Sequence, residues 1–517
     1  MKKSILFIVL SIFIFQATIN NEQIFAQTDG TLDNTFGTGG KVLTPIGSQD
    51  AASKAVALQA DGKIVVAGWS YNSGIYDEIA VVRYNSNGTI DNTFGTAGIA
   101  IGNPGIYSDA YAIKVQSDGK ILIAGVTENG ADNDFILIRF NTDGTPDNTF
   151  GTSGITTTDF GSTDDKAFAI ALQSNGKIVL AGQTFDGTNF KIAMARYNTD
   201  GTLDNTYGSS GKIVESLSTA DDLATALALQ PDGKIVVTGY TWNGTNSDIA
   251  LLRYATDGTL DNTFGTGGVT KLDISSSDNY GYALALQTDG KIVVTGTTAA
   301  GTGDYSVSRF NANGTVDNTF GTNGSVITDF NGLNDESYAV IIQTNGKIVA
   351  AGFSLIPGGN NDFSLARYNS NGTLDTLFGT SGKVITPVGT NDDWAYSMLL
   401  QPDGKIVVAG YSINGSGDDD IAVVRYFISP TGITDIKSEG NDVNLYPNPA
   451  NNYISINAGA QTKENIVSIF NVQGQLVFSQ PLLNTPATLD ITTLAKGVYT
   501  IKISNTERTI IKKFVKE

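Results

Sequence analysis

Immediately before each of seven similar apolar runs sits an aspartate: Asp50, Asp109, Asp165, Asp222, Asp278, Asp335 and Asp393. If the fold gathers these carboxylates on one rim, they form an acidic ring able to take a cation or a cationic ligand. Trp69, Trp242 and Trp394 fall in or beside the same variable segments and offer flat faces for stacking on sugar rings or a peptide. The plain alternative is that these are solvated turn residues and scattered aromatics. A second acidic set lies in the stretch Asp29-Gly-Thr-Leu-Asp-Asn-Thr-Phe-Gly37 and its copies. Its carboxylates and hydroxyls suit calcium, which takes six to eight oxygen ligands. Recurrence in every copy argues instead for turns, with the aromatic filling a gap, so no cofactor is expected.

Other chemistry is excluded by composition. The chain has no His and no Cys, which removes His-based triads, thiolate nucleophiles, disulfides and zinc-thiolate sites. Its 32 basic and 51 acidic residues give a formal net charge of −19, a sign that opposes phosphate backbones and anionic lipid. Nucleic acid is therefore not an expected partner.

The elements that must position these groups follow from a repeat. The aromatic of the Asp29 stretch recurs at Phe36, Phe94, Phe150, Tyr207, Phe264, Phe320 and Phe378, at intervals of 56 to 58 residues. Each repeat holds four strand-like pieces. Strand a is Ala-rich and ends in Gln (Ala55 to Gln59). Strand b follows a two-residue Asp-Gly or Asn-Gly turn (Lys63 to Gly68), which makes a and b hairpin neighbours. Strand c ends in Arg plus Tyr or Phe (Ile79 to Tyr84), and strand d is short and more polar (Lys41 to Thr44). The strand c arginines (Arg83, Arg139, Arg196, Arg253, Arg309, Arg367, Arg425) share a face with apolar residues and need partners, for which Asp91 and its equivalents are the candidates. The strand a glutamines (Gln59, Gln116, Gln173, Gln230, Gln287, Gln343, Gln401) read as blade-to-blade or turn hydrogen bonds.

Seven repeats of four antiparallel strands predict an all-β chain built on a seven-bladed β-propeller over residues 29–426. The first copy has only strand d and the last lacks it, so an N-terminal strand completing the final blade closes the ring without an open edge. Small side chains place strand a innermost. The b–c and d–a loops then share a face, and the aspartates ring the mouth of the central channel.

The pairing of Gly62-Lys-Ile-Val-Val-Ala-Gly68 with the Asp29 stretch resembles the delta-60 repeat, a family of bacterial β-propeller repeats. The resemblance implies this fold and an extracellular habit, and brings no catalytic residues.

Met1-Lys2-Lys3 and the apolar run Ile5 to Phe15 predict a signal peptide over 1–26, and no later segment is long enough to cross a bilayer as a helix. Residues 427–440 break the repeat and read as a linker. Beyond them, six or seven short strands predict a small Ig-like β-sandwich over 441–517. Tyr446-Pro447-Asn448-Pro449, the turn at Gly474, Gly497 with Tyr499, and the basic end at Lys512 and Lys513 resemble the C-terminal sorting domain, type A, of the type IX secretion system. The resemblance implies that this machinery is a partner and that the product is secreted or held at the cell surface.

The function expected is that of a non-catalytic scaffold binding a glycan or protein through its variable loop face. A carboxylate-based glycosidase or lyase is the alternative, and a purely structural coat component is another. An active site should break the seven-fold symmetry, and the repeats read as alike at every core position, which argues against an enzyme.

Overall fold

The computed structural model describes residues 28–517 except 73–75, 103–104, 106, 131, 162–163, 300, 429–443, 458–464, 472–475, 483–485 and 505–508. The signal peptide, Gly474 and all but the first two residues of the linker lie outside the described residues. Two compact units result, Met1–Ser429 and Pro430–Glu517.

In the first unit every sheet has four antiparallel strands in the order a, b, c, d. Blade 1 is Ala51–Leu58, Ile64–Asn72, Tyr76–Tyr84 and Ile99–Gly102. Blade 7 is Asp393–Leu400, Ile406–Ile413 and Asp419–Tyr426, completed by the N-terminal strand Lys41–Thr44, which pairs Lys41 with Val424 and Thr44 with Ile421. Each strand a touches the strand a of the blade on either side, and Ala51–Leu58 touches both Ser108–Val115 and Asp393–Leu400. Strand a is therefore innermost, and the circle is closed.

Seven clusters of buried side chains each straddle two adjacent blades. Phe36, Ile64, Val66, Val407 and Val423, for example, join blade 7 to blade 1. A single blade has apolar faces on both sides and can bury them only between neighbours, so the ring is the unit of stability.

The repeated Asp stretch supplies the joints. Asp91 Oδ1 accepts from the Thr93 N–H and hydroxyl at 3.1 and 2.7 Å, while Oδ2 accepts from Arg83 Nε. The same Arg-to-Asp contact recurs in all seven blades at 2.6 to 2.8 Å. Lys63 and its counterparts add a second cation to each carboxylate. Each guanidinium also lies 4.3 to 4.7 Å from the centroid of its aromatic. The expected ion pair is thus present, and a calcium ion on these loops would have to displace both cations.

Two local expectations change. The a–b hairpin loop has three residues, not two: Gln59 N–H donates to Lys63 O and Gly62 sits at φ +84°, the left-handed position of a type I turn with a bulge. The glutamines make their turn bonds through the backbone. Among the described residues, the side-chain Oε1 of all but Gln230 is buried without a partner, and Gln230 Oε1 accepts from Arg253 at 3.4 Å.

The second unit has a three-stranded and a four-stranded antiparallel sheet. Ile454, Ile456 and Leu489 from one and Val467, Ile469, Ile501 and Phe514 from the other share one core.

Candidate functional site

In all seven blades the a–b register skips one residue of strand a, as between Ser53 and Ala55 or Ala395 and Ser397. The glycine of strand b makes room for this bulge. A Cβ on Gly68 would stand 1.9 Å from Ala52 O, and one on Gly239 1.8 Å from Leu223 O. The skipped residue is left unpaired and re-aimed. Around the ring this column reads Lys54, Tyr111, Phe168, Thr225, Tyr282, Tyr338 and Tyr396, all half-buried.

These side chains meet across blade boundaries on the innermost circle. The Tyr282 and Tyr338 rings stack at 4.8 Å, Tyr338 meets Tyr396 at 5.1 Å, and Lys54 Nζ lies 3.7 Å from the Tyr396 centroid. A neighbouring column extends the surface. Tyr280 lies edge-on to Tyr240 at 4.8 Å and stacks on Tyr282 at 6.0 Å, and Trp394 meets Phe353 at 4.1 Å and Tyr411 at 6.3 Å. Blades 4 to 7 therefore present a continuous aromatic arc.

The opposite arc is mixed: Tyr111 meets Phe168 edge-on at 5.0 Å, and ionisable groups gather beside them. Lys54 faces Asp109 and Asp419, and burial lowers its pKa against their pull. Burial pushes the Asp109 carboxyl up to about 7 even though Lys54 and the Tyr111 hydroxyl favour its charged form. Burial and Asp50 push Asp419 up to about 6, and the same two causes raise Asp77. On the aromatic side the Tyr338 hydroxyl donates to Glu336 at 2.5 Å, and burial with that carboxylate raises its pKa.

The predicted aspartates do not form one ring, because they occupy three different positions of the repeat. Asp165, Asp222, Asp335 and Asp393 are the first residue of strand a, fully buried, and hold the preceding loop: Asp222 accepts from Leu217 N–H at 2.7 Å and Asp335 from Phe330 N–H at 2.8 Å. Asp50 and Asp278 stand one residue earlier and stitch blades together, accepting from Asp419 N–H and Ser247 N–H at 2.8 Å. Asp109 is the second residue of its strand and belongs to the mixed arc. Alternation along a strand turns neighbouring positions to opposite faces, so a one-residue offset changes what each carboxylate meets.

Of the tryptophans, Trp394 belongs to the aromatic arc. Trp69 pairs with Ala52 on the opposite side of the ring, and Trp242 sits against Ser247 at the b–c hairpin. The tyrosines that build the arc lie in strands, not loops, and loop composition gave no hint of them. Their signal was the variability of the second and fourth positions of strand a. Those columns also break the seven-fold likeness of the repeats, contrary to expectation. Other surface clefts lie on the outer rim. One of 930 Å³, lined by Thr31, Leu32 and Val384, has no comparable convergence of aromatic and ionisable groups.

In the second unit the basic end and the Tyr446 stretch come together. Asn448 Oδ1 accepts from Val515 N–H at 2.9 Å and its Nδ2 donates to Lys513 O at 3.2 Å. Lys512 and Lys513 pair with Ile501 and Thr500 on the strand that starts at Gly497. The Tyr499 ring stacks on Phe514 at 5.6 Å, while Tyr446, Pro447 and Pro449 stay exposed.

No curated protein matches the chain. Among solved structures it is similar to a streptogramin B lyase (15% identity, covering 75% of this chain and 97% of that one, TM-score 0.46). It is also similar to the polysaccharide lyase Uly1 (12%, 79% and 94%, TM-score 0.41) and to a PL25 ulvan lyase solved with -[GlcA(1-4)Rha3S]- (13%, 75% and 95%, TM-score 0.41). Nothing about ligand or reaction passes to this chain at those scores. The family described as a domain of unknown function (DUF5122) beta-propeller matches at 59–94, 116–150, 173–207, 230–264, 287–320, 343–378 and 401–427, and the secretion system C-terminal sorting domain at 444–517. The chain is thus a seven-repeat DUF5122 β-propeller that carries a secretion-system sorting domain and is marked by it for export.

Proposed function

We propose that the exported propeller is a binding module that takes a saccharide segment at the channel mouth, after passage through type IX machinery engaged by residues 444–517. The carrying observation is the arc of Tyr280, Tyr282, Tyr338 and Tyr396, which gathers stacking faces on one side of a ring whose other joints repeat in every blade. Aromatic faces pack on the C–H faces of sugar rings. Glu336, Asp109 and Asp419 can accept from sugar hydroxyls, and Lys54 can donate to ring or carboxylate oxygens. Glycan-array screening of the full chain, followed by titration of the best ligand, tests the reading. Tyr338→Ala and Tyr396→Ala should each weaken binding on the order of ten-fold or more, since stacking contacts are worth about 1 to 3 kcal/mol when truncated. Unchanged affinity in both variants would defeat it.

A catalytic reading has one observation of its own. Asp109, with a carboxyl that titrates near neutrality beside Lys54 and Tyr111, has the character of a general acid or base. Release of shorter or unsaturated products from a bound polysaccharide, lost in Asp109→Asn, would favour catalysis over binding.

A further inference from the structure

Between blades 2 and 3, carboxylate oxygens of Asp134, Asp159 and Asp165 lie within 4.8 Å of one another, and Asp304, Asp329 and Asp335 repeat the arrangement between blades 5 and 6. Each set takes one residue from the start of a strand c, one from the d–a loop and one from the head of the next strand a. A cation roughly 2.4 Å from each ligand needs its ligands within about that mutual distance. A cluster of acids alone would say little. Here, however, Asp134 is 2% exposed and its Oδ1 has no hydrogen-bond partner among the described residues. Asp335 is fully buried, and the Ser354 hydroxyl near its Oδ1 falls outside hydrogen-bond geometry. Buried carboxylate oxygens without donors are costly unless a cation meets them.

The chain itself supplies a comparison. At the boundary of blades 3 and 4 the strand c column holds Lys191, paired with Thr184 as Asp134 is with Thr127. That lysine is 8% exposed, and its Nζ lies 3.3 Å from Ala220 O. Where the strand c acid is missing, the same column brings its own positive charge. At the other boundaries the triad is incomplete: the loop position is Pro45, Asn103, Ser216 or Pro387, and where it is Asp273 the head of the next strand a is Asn279.

We infer that the two acidic triads are divalent-cation sites, filled by calcium outside the cell, that clamp blade 2 to blade 3 and blade 5 to blade 6. Each carboxylate gives one or two oxygens, and the exposed Asp159 and Asp329 leave the remaining positions to water.

The test uses the full chain after chelation, titrated with calcium chloride by calorimetry and followed by thermal unfolding. Two sites per chain are expected, with a rise in Tm of a few degrees at saturating calcium. Asp134→Asn and Asp335→Asn should each remove one site, and the double variant both. In chelator the Asn variants should unfold at or above the wild-type temperature, because like charges are relieved, and in calcium below it. Asp159→Asn, at an exposed position, provides a variant whose folding is not in question and should weaken the first site. Absence of calcium binding, or two sites persisting in the double variant, overturns the inference.

Discussion

Arg425 Nε donates to Asp33 Oδ2 at 2.8 Å, joining the last strand c to the first repeat stretch across almost the whole propeller sequence. In other blades the same bond is made eight residues apart, as between Arg83 and Asp91. At the seam it is also a clasp, since Arg425 N–H donates to Gly40 O and Asp33 N–H to Arg425 O. Both side chains are buried, so removing one partner strands a charge.

Asp33→Ala should therefore destabilise the propeller by about 3 to 5 kcal/mol, the cost of breaking one half of a buried pair. Chemical denaturation of the full chain checks this. Deletion of residues 28–44 should go further, exposing the edge of Asp419–Tyr426 and giving concentration-dependent association by light scattering.

The two classes of aspartate give opposite pH dependence. Burial alone would raise Asp33 and Asp91, but hydrogen bonds from Thr35 and Thr93 and the nearby Lys and Arg take both to about 2. These carboxyls hold protons less tightly when folded. Their stabilisation is present above the unfolded value of about 4 and is lost as pH falls toward 2. Burial pushes Asp109 up to about 7 and Asp134, Asp335, Asp362 and Asp419 to about 6. These groups hold protons more tightly when folded, so their contribution fades as pH rises through 6 and 7. In chelator, Tm should peak near about pH 4 to 5 and fall on both sides. A flat profile from pH 4 to 8 would contradict the assignment.

Gly239→Ala should cost about 3 kcal/mol or more, because the new methyl meets Leu223 O at 1.8 Å and a backbone atom in the innermost pair has nowhere to move. Gly244→Ala is the control. It lies at φ +105° with open space around it, so it carries backbone strain of about 1 kcal/mol and no clash. Equal losses in the two variants, by urea titration, would refute the role given to the bulge.

Removing residues 444–517 should leave the propeller folded inside the cell envelope and absent from the medium and outer surface, as read by fractionation and immunoblotting. Export of the truncated chain would show that another signal directs it.

Much of this architecture was legible in residue order. Spacing from Phe36 to Phe378 counted the blades, the missing strand d of the final repeat located the seam, and Arg83 with Asp91 announced the pair that recurs in each blade. Such features are local and repeated, so one copy explains the others. What only the tertiary structure decided was the address of individual side chains near the axis. Asp50, Asp109 and Asp165 stand at different distances ahead of the strand a bulge, and strand alternation makes them a blade stitch, a channel group and a loop anchor. The bulge itself re-aims the residue it leaves unpaired. It also turns Tyr282, Tyr338 and Tyr396 toward one another across three blades. Contacts between residues some 57 positions apart depend on ring closure, and no stretch of sequence records them by itself.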